Sequence, residues 1–378
     1  MARGRGNTVT DRVFLARACE LAQRGLGSTA PNPAVGAVIV RDERTLGEGY
    51  HHERGAAHAE VEALRAARDR GHDVRGATLY VSLEPCDRHG VTPPCTEAIL
   101  SAGIARVVIG AMDPNPKTNG AGVQRLAAAN LDVQVMDFPW ARRLVESFEV
   151  AIRASRPYVA LKMAASLDGY VAPQEGSHWL TGPASRERVR ELRYWHDAVM
   201  IGAGTARIDD PQLTVRPHVT RRKPYTRVVV CETDAIPPHS RVLAPPPGAP
   251  EDAYRPTIVL APGGAHERFA AIEPLAEVVY VGDGAATQLD LREAMLALRA
   301  RDITTVLCEG GPTLAGRLLD RGLVQRATWL VAPVFLRGAQ AVPALGGVAI
   351  PADGWTVTGT ERVGDDVLVT TDLTCSPD

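Results

Sequence analysis

Three short stretches of this 378-residue chain carry side chains that bind a metal and move protons: His58-Ala59-Glu60, Glu84-Pro85-Cys86 and Cys95. One imidazole and two thiolates are soft-to-borderline donors, a set that suits zinc. Three protein donors leave the fourth tetrahedral position to water, as a catalytic site requires. Cys95 follows Pro93-Pro94 at an expected helix start, where the dipole and free N–H groups favour thiolate over thiol. Glu60, two residues past His58, can hydrogen-bond a water on the metal without ligating it. A closed structural site would need a fourth protein ligand, and His51 or His89 could serve.

H-x-E followed by P-C-x-x-C marks zinc deaminases, in which hydroxide attacks a ring carbon bearing an exocyclic amine and the glutamate shuttles the protons. Here residues 87–94 separate the two cysteines, where the signature has only two residues. A loop that long is expected to bulge over the site and supply substrate contacts. Asn32, between Pro31 and Pro33, could hold the ring or its sugar, or simply be a good turn residue. Cys19 and Cys308 read instead as small buried apolar residues, and six cysteines in so long a chain do not make a disulfide scaffold.

The elements that must carry these residues alternate. Apolar spacing predicts a helix over 11–25, a hairpin from 34–40 and 45–50, and a helix over 59–70. A strand at 78–83, a helix at 95–102, a strand at 106–110, a helix at 123–129 and a strand at 131–135 follow. This order implies an α/β sandwich. After a helix over 141–152, Ser155-Arg156-Pro157 breaks the chain, and a boundary near 153 gives domains 1–153 and 154–378. The second alternation holds strands at 158–163, 198–202, 227–231, 257–261, 277–281 and 304–308, with helices at 184–194, 289–300 and 314–321. It has no G-x-G-x-x-G, so a Rossmann reading is unsupported. Glu309-Gly310-Gly311 nevertheless joins a strand to a helix, where a pyrophosphate can approach backbone N–H groups.

Composition excludes other classes. Lys plus Arg (42) nearly balances Asp plus Glu (44) and aromatics are 5%, leaving little to track phosphates or stack bases, so no nucleic-acid partner is expected. No apolar run approaches a membrane span, and no secretory core follows Arg3-Gly4-Arg5. Residues 1–9 read as a solvated tail. A cytoplasmic homo-oligomer with no membrane partner is expected.

The chain resembles the bifunctional riboflavin-biosynthesis deaminase/reductase family over nearly its whole length. The first half carries PNPAVGAVIV (31–40), GYH (49–51), HAEV (58–61), LEPC (83–86), TPPC (92–95) and DPNP (113–116). The second carries LKMAASLDG (161–169), SHWLT (177–181), DDPQLT (209–214) and EGGPT (309–313). The resemblance implies a cytidine-deaminase-like three-layer domain followed by a dihydrofolate-reductase-like one. It implies zinc on His58, Cys86 and Cys95, and NADPH on Ala164, Trp179, Thr205, Asp209, Gly311, Pro312 and Thr313. The substrate would be a diaminopyrimidine ribosylamine phosphate, deaminated and then reduced from ribosyl to ribityl. It would meet Asn32 and His51 in the first half, and Ser177, Arg193, Leu213, Arg216 and Glu309 in the second. Arg193 and Arg216 suit a phosphate. Lys162 and Asp209 are the candidates for positioning the carbonyl and delivering a proton. The family's basic residue before TPPC is Val91 here, and Ala121 stands where many relatives carry arginine. Arg88, with Glu60 the remaining first-half candidate, is expected to compensate at the phosphate. The alternative is a paralogue whose deaminase half takes another heterocycle, or in which one half is inactive.

Overall fold

A computed structural model describes residues 8–89, 93–171, 179–215, 223–250, 252–336, 342–346 and 354–373. The chain divides into two compact units, Met1–Ala154 and Ser155–Asp378.

In the first unit α1 (Thr8–Gln23) precedes the hairpin β1 (Gly36–Arg41) and β2 (Arg44–Tyr50). Then follow α2 (Ala59–Asp69), β3 (Thr78–Val81), α3 (Cys95–Ser101), β4 (Arg106–Ile109), α4 (Ala121–Ala128), β5 (Asp132–Val135) and α5 (Pro139–Arg153). Thr8 and Val9 therefore belong to a helix and not to the expected tail; residues 1–7 lie outside the described residues. The hairpin closes in two residues because Asp42 and Glu43 both take positive φ (51° and 59°), the backbone of a type I′ turn. The sheet runs β2-β1-β3-β4-β5, with β3, β4 and β5 parallel.

Strand β1 explains the layering. Ala37 and Ile39 pack with Ala59, Ala63 and Ile99 of α2 and α3, whereas Val38 and Val40 pack with Leu15, Ala18 and Leu21 of α1. Both faces are covered, so its run is continuously apolar. Helix α2 lies flush on β2, since a Cβ on Gly47 would stand 2.3 Å from the Ala63 carbonyl oxygen. That close seat fixes the helix whose first turn carries His58 and Glu60.

The second unit contains β6 (Tyr158–Ser166), β7 (Tyr170–Val171), α6 (Pro183–Trp195), β8 (Ala198–Gly202), α7 (Ala203–Asp209) and β9 (Thr226–Val230). It continues through β10 (Ile258–Pro262), α8 (His266–Phe269), β11 (Glu277–Val281), α9 (Leu291–Arg299), β12 (Thr305–Gly310) and α10 (Pro312–Asp320). Strands β13 (Arg326–Ala332), β14 (Val342–Pro343), β15 (Trp355–Val363) and β16 (Asp366–Leu373) end it; the sequence reading named none of these four. The sheet order is β11-β10-β9-β8-β12-β6-β13-β16-β15, parallel up to β13 and antiparallel beyond. Chain direction across the sheet reverses between β8 and β12, and a crevice at the carboxyl ends of such strands is where ligands bind in α/β folds. Among the described residues, two large cores, one per face, and a smaller cluster of Val189, Leu330 and Leu368 fill the unit.

Candidate active site

His58 caps α2 from outside with extended backbone (φ −74°, ψ 163°), and Cys95 is the first residue of α3 after Pro94. Cys86 is not at a helix start. It lies in the segment between β3 and α3, tied to α3 by two bonds. Its sulfur accepts the Cys95 N–H (3.4 Å) and its carbonyl accepts the Thr96 N–H (3.3 Å).

His58 Nδ1 stands 3.2 Å from Cys95 Sγ and 3.4 Å from Cys86 Sγ, and the three donor atoms lie within 4.8 Å of one another. The three atoms converge as ligands do. Tetrahedral zinc places nitrogen and sulfur roughly 3.6 Å apart, and the set fits. Two sulfurs this close cannot both shed their protons unless a cation neutralises them. The Cys95 contact draws the Cys86 thiol well below its ordinary value, and the Cys86 contact drives Cys95 up.

Glu60, 3% exposed, sits in the first turn of α2. Burial, with the charge on Cys86, pushes its carboxyl up to about 7. His51 is also buried; its Nε2 meets the Asn32 amide nitrogen (3.2 Å) and its Nδ1 faces the Ala57 carbonyl (3.1 Å). His89 pairs with Glu97 (3.3 Å). Neither histidine joins the cluster, so among the described residues the donor set stays at three and open. A cavity of about 360 Å³ reaches His58 and Cys95 past Ala57, Val61, Pro93 and Pro94. Arg88 is exposed, and Val91 lies outside the described residues. Ala121 opens α4.

In the second unit, neighbouring strands bring Lys162 and Glu309 together: Lys162 Nζ is 3.9 Å from Glu309 Oε2. Arg193, from the last turn of α6, donates through Nε and Nη2 to the two Glu309 oxygens and through Nη1 to the Thr214 carbonyl (2.9 Å). The guanidinium fork of Arg193, expected at the substrate's phosphate, thus faces a carboxylate here. Burial raises the Glu309 carboxyl, but the Arg193 charge and hydrogen bonds outweigh it and hold the group below its ordinary value. Burial also holds the Lys162 ammonium below the usual lysine value, against the pull of Glu309.

The expected cofactor residues fall partly together. Gly310 and Gly311 take φ of 129° and 59°, which favour glycine, and Pro312 opens α10. A Cβ on Gly311 would stand 3.0 Å from Thr205 Oγ1, so these two positions adjoin at the β8/β12 crevice. The bare glycine backbone there leaves the close approach that a pyrophosphate needs at a helix N-terminus, and the residues fit NADPH. Ala164 is on β6, half-buried, and Thr313 is in the first turn of α10. Trp179 is 78% exposed, with the Arg186 guanidinium 5.1 Å over its ring. Asp209 is exposed at the last residue of α7, and Leu213 is buried with φ 50° beside the carbonyl that Arg193 grips. Ser177 and Arg216 lie outside the described residues. Glu84 is a further residue beside the site, and its signal in the sequence is an acid two residues before a ligand at a strand end.

The deaminase zinc-binding region of cytidine and deoxycytidylate deaminases matches residues 8–111, and the RibD C-terminal domain matches 157–369. The chain is 38% identical to riboflavin biosynthesis protein RibD of Escherichia coli K12, over 95% of this chain and 98% of that one. It is 37% identical to RibD of Aquifex aeolicus, over 89% and 90%. Its structure is similar to Acinetobacter baumannii RibD (TM-score 0.79, 33% identity, 97% and 100% covered). It is similar also to a Thermotoga maritima diaminohydroxyphosphoribosylaminopyrimidine deaminase/5-amino-6-(5-phosphoribosylamino)uracil reductase (TM-score 0.80, 34% identity, 97% and 99% covered). Similarity through both units does not favour a paralogue that has lost one half. No helix among the described residues is long and apolar enough to cross a membrane. The chain belongs to the RibD family of riboflavin biosynthesis, a zinc deaminase fused to an NADPH-dependent pyrimidine reductase.

Proposed function

We propose that residues 1–153 deaminate a diaminopyrimidine ribosylamine phosphate, and that residues 154–378 then reduce its ribosyl group to ribityl. The convergence of His58, Cys86 and Cys95 beside the buried carboxylate of Glu60 carries this reading. Zinc held there supplies Lewis acidity that brings the ionisation of water toward neutral pH. Water oxygen bonds to the ring carbon, the C–N bond breaks, and ammonia leaves. Glu60 takes one proton of the water to a ring nitrogen, then moves the proton of the hydroxyl so added to the leaving amine. Asn32 and His51, linked at 3.2 Å, orient the ring. Arg88, exposed on the segment after Cys86, meets the phosphate.

In the second unit NADPH, held at Gly311, Pro312, Thr313 and Thr205, supplies the hydride. Lys162 delivers the proton, positioned by Glu309, which Arg193 orients in turn. The enzyme is read as a cytoplasmic homo-oligomer acting on a small molecule. The exposed edge strand β15, with Val357 60% exposed, supports the self-association.

Glu60→Gln tests the first half. The amide cannot shuttle protons, so the variant should keep its zinc by metal analysis and lose about 10²–10⁴-fold in ammonia release, with NADPH oxidation unchanged when the deaminated compound is supplied. A loss below about tenfold would point to another base.

A further inference from the structure

Glu84 is a buried carboxylate, 6% exposed, that meets no cation among the described contacts and is instead filled entirely by backbone. Its Oε2 accepts the N–H groups of Asp113 (3.1 Å) and Gly120 (3.0 Å); its Oε1 accepts those of Gly122 (3.0 Å) and Val123 (3.2 Å). Three of these donors belong to the start of α4, whose capping residue Gly120 has no side chain to offer. Four N–H groups on two oxygens use all the acceptor sites a carboxylate has, and the helix dipole adds to the attraction.

The next residue is pinned as tightly. A Cβ on Gly122 would lie 2.0 Å from the Pro85 carbonyl oxygen, so the first turn of α4 packs directly on the peptide group that leads into Cys86. On its other side Cys86 is bonded to the start of α3, through its sulfur and its carbonyl. Asp87 adds a third tie, accepting from Thr96 Oγ1 at 2.5 Å. The Cys86 sulfur is thus suspended between two helix starts, and Glu84 is the anchor on the α4 side.

We infer that Glu84 is a positioning residue for the metal: by gripping the start of α4 it sets where the Cys86 ligand stands. This rests on the reading of His58, Cys86 and Cys95 as the zinc site. Residues that orient ligands typically cost about 10–100-fold in metal affinity when changed.

The test uses the full chain. Glu84→Gln is diagnostic, because its NH₂ would point at two N–H groups that need an acceptor, while size is preserved. Zinc affinity is measured by chelator competition, and the ligand field by the visible spectrum of the cobalt(II)-substituted protein. NADPH oxidation by the second unit and far-UV circular dichroism report folding. The expected result is a zinc Kd weakened by about 10–100-fold and a shifted cobalt spectrum, with NADPH oxidation retained. Glu84→Asp keeps both oxygens on a shorter arm and should fall between; it carries the test if the glutamine variant does not fold. Wild-type zinc affinity and an unchanged cobalt spectrum in a folded variant would overturn the inference, leaving Glu84 a helix cap only. Failure of the wild-type chain to bind zinc would instead overturn the site reading beneath it.

Discussion

Replacing Glu309 by glutamine removes one negative charge from a buried cluster that otherwise holds two cations. Lys162 Nζ lies 3.9 Å from that carboxylate, and the two side chains are 15% and 7% exposed. At an effective dielectric of about 20 the attraction is roughly 4 kcal/mol, falling to about 1 if water replaces protein around the pair. The sign follows from what each neighbour does. Burial disfavours the Lys162 ammonium, Glu309 opposes burial, and Arg193 acts with burial. Without the carboxylate the ammonium is disfavoured further, so Lys162 loses its proton at lower pH. If it delivers the proton in reduction, the basic limb of the reductase kcat/KM profile should move acidward by about 1–3 pH units, at about 1.4 kcal/mol per unit. Glu309→Asp retains the charge and should move the limb much less. Arg193 is left buried without its partner, a loss of about 3–5 kcal/mol in stability, so profiles are taken where circular dichroism shows a folded chain and ammonia release is intact. A limb that stays in place in Glu309→Gln, or moves to higher pH, would refute the assignment of Lys162 as proton donor.

Cys86→Ser with Cys95→Ser should abolish zinc binding and ammonia release while NADPH oxidation continues on supplied deaminated compound; full zinc retention by metal analysis would sink the ligand assignment. Asp11, 1% exposed, accepts two hydrogen bonds from Arg106 and one from Tyr80, all at 2.9 Å, and so ties α1 to the sheet. Asp11→Asn should destabilise the first unit by about 3 kcal/mol, the low end for breaking a buried pair, because Arg106 keeps a bond to Gln134 (2.7 Å). Burial raises the Asp11 carboxyl, but the Arg106 and Tyr80 hydrogen bonds outweigh it and leave the group below its ordinary value. Its contribution is therefore complete above the unfolded carboxyl value of about 3.9 and is lost as pH falls through the folded one. Thermal inactivation of deaminase should separate wild type from variant at pH 7 and converge in acid; a gap that widens in acid would contradict the pairing.

The legible parts of this chain are those whose causes are local. His58, Glu60 and Cys95 announce themselves because each sits at a helix start whose chemistry is written in adjacent residues, and β1 reads as a strand because both faces are buried. Strand β15 carries no such signal. At the sheet edge its residues are mostly exposed, so Thr, Gly, Glu and Arg stand without apolar alternation. Arg193 is the opposite case, since nothing beside it in the sequence announces the Glu309 carboxylate that it meets, 116 residues away. The same distance problem hid the reason that the cysteine spacing can depart from C-x-x-C. In a two-residue spacing the short chain itself keeps the sulfurs together. Here the intervening residues 87–94 impose no such limit, yet both sulfurs come within ligand range of one imidazole nitrogen. What holds them is two helix starts: α3 bonds the Cys86 sulfur and carbonyl, and α4 packs on Pro85 while its N–H groups fill Glu84, whose partners lie 29 to 39 residues along the chain. With the ligand geometry fixed from outside the loop, the loop is free to change length and composition, as it has around Arg88 and Val91, without moving the metal.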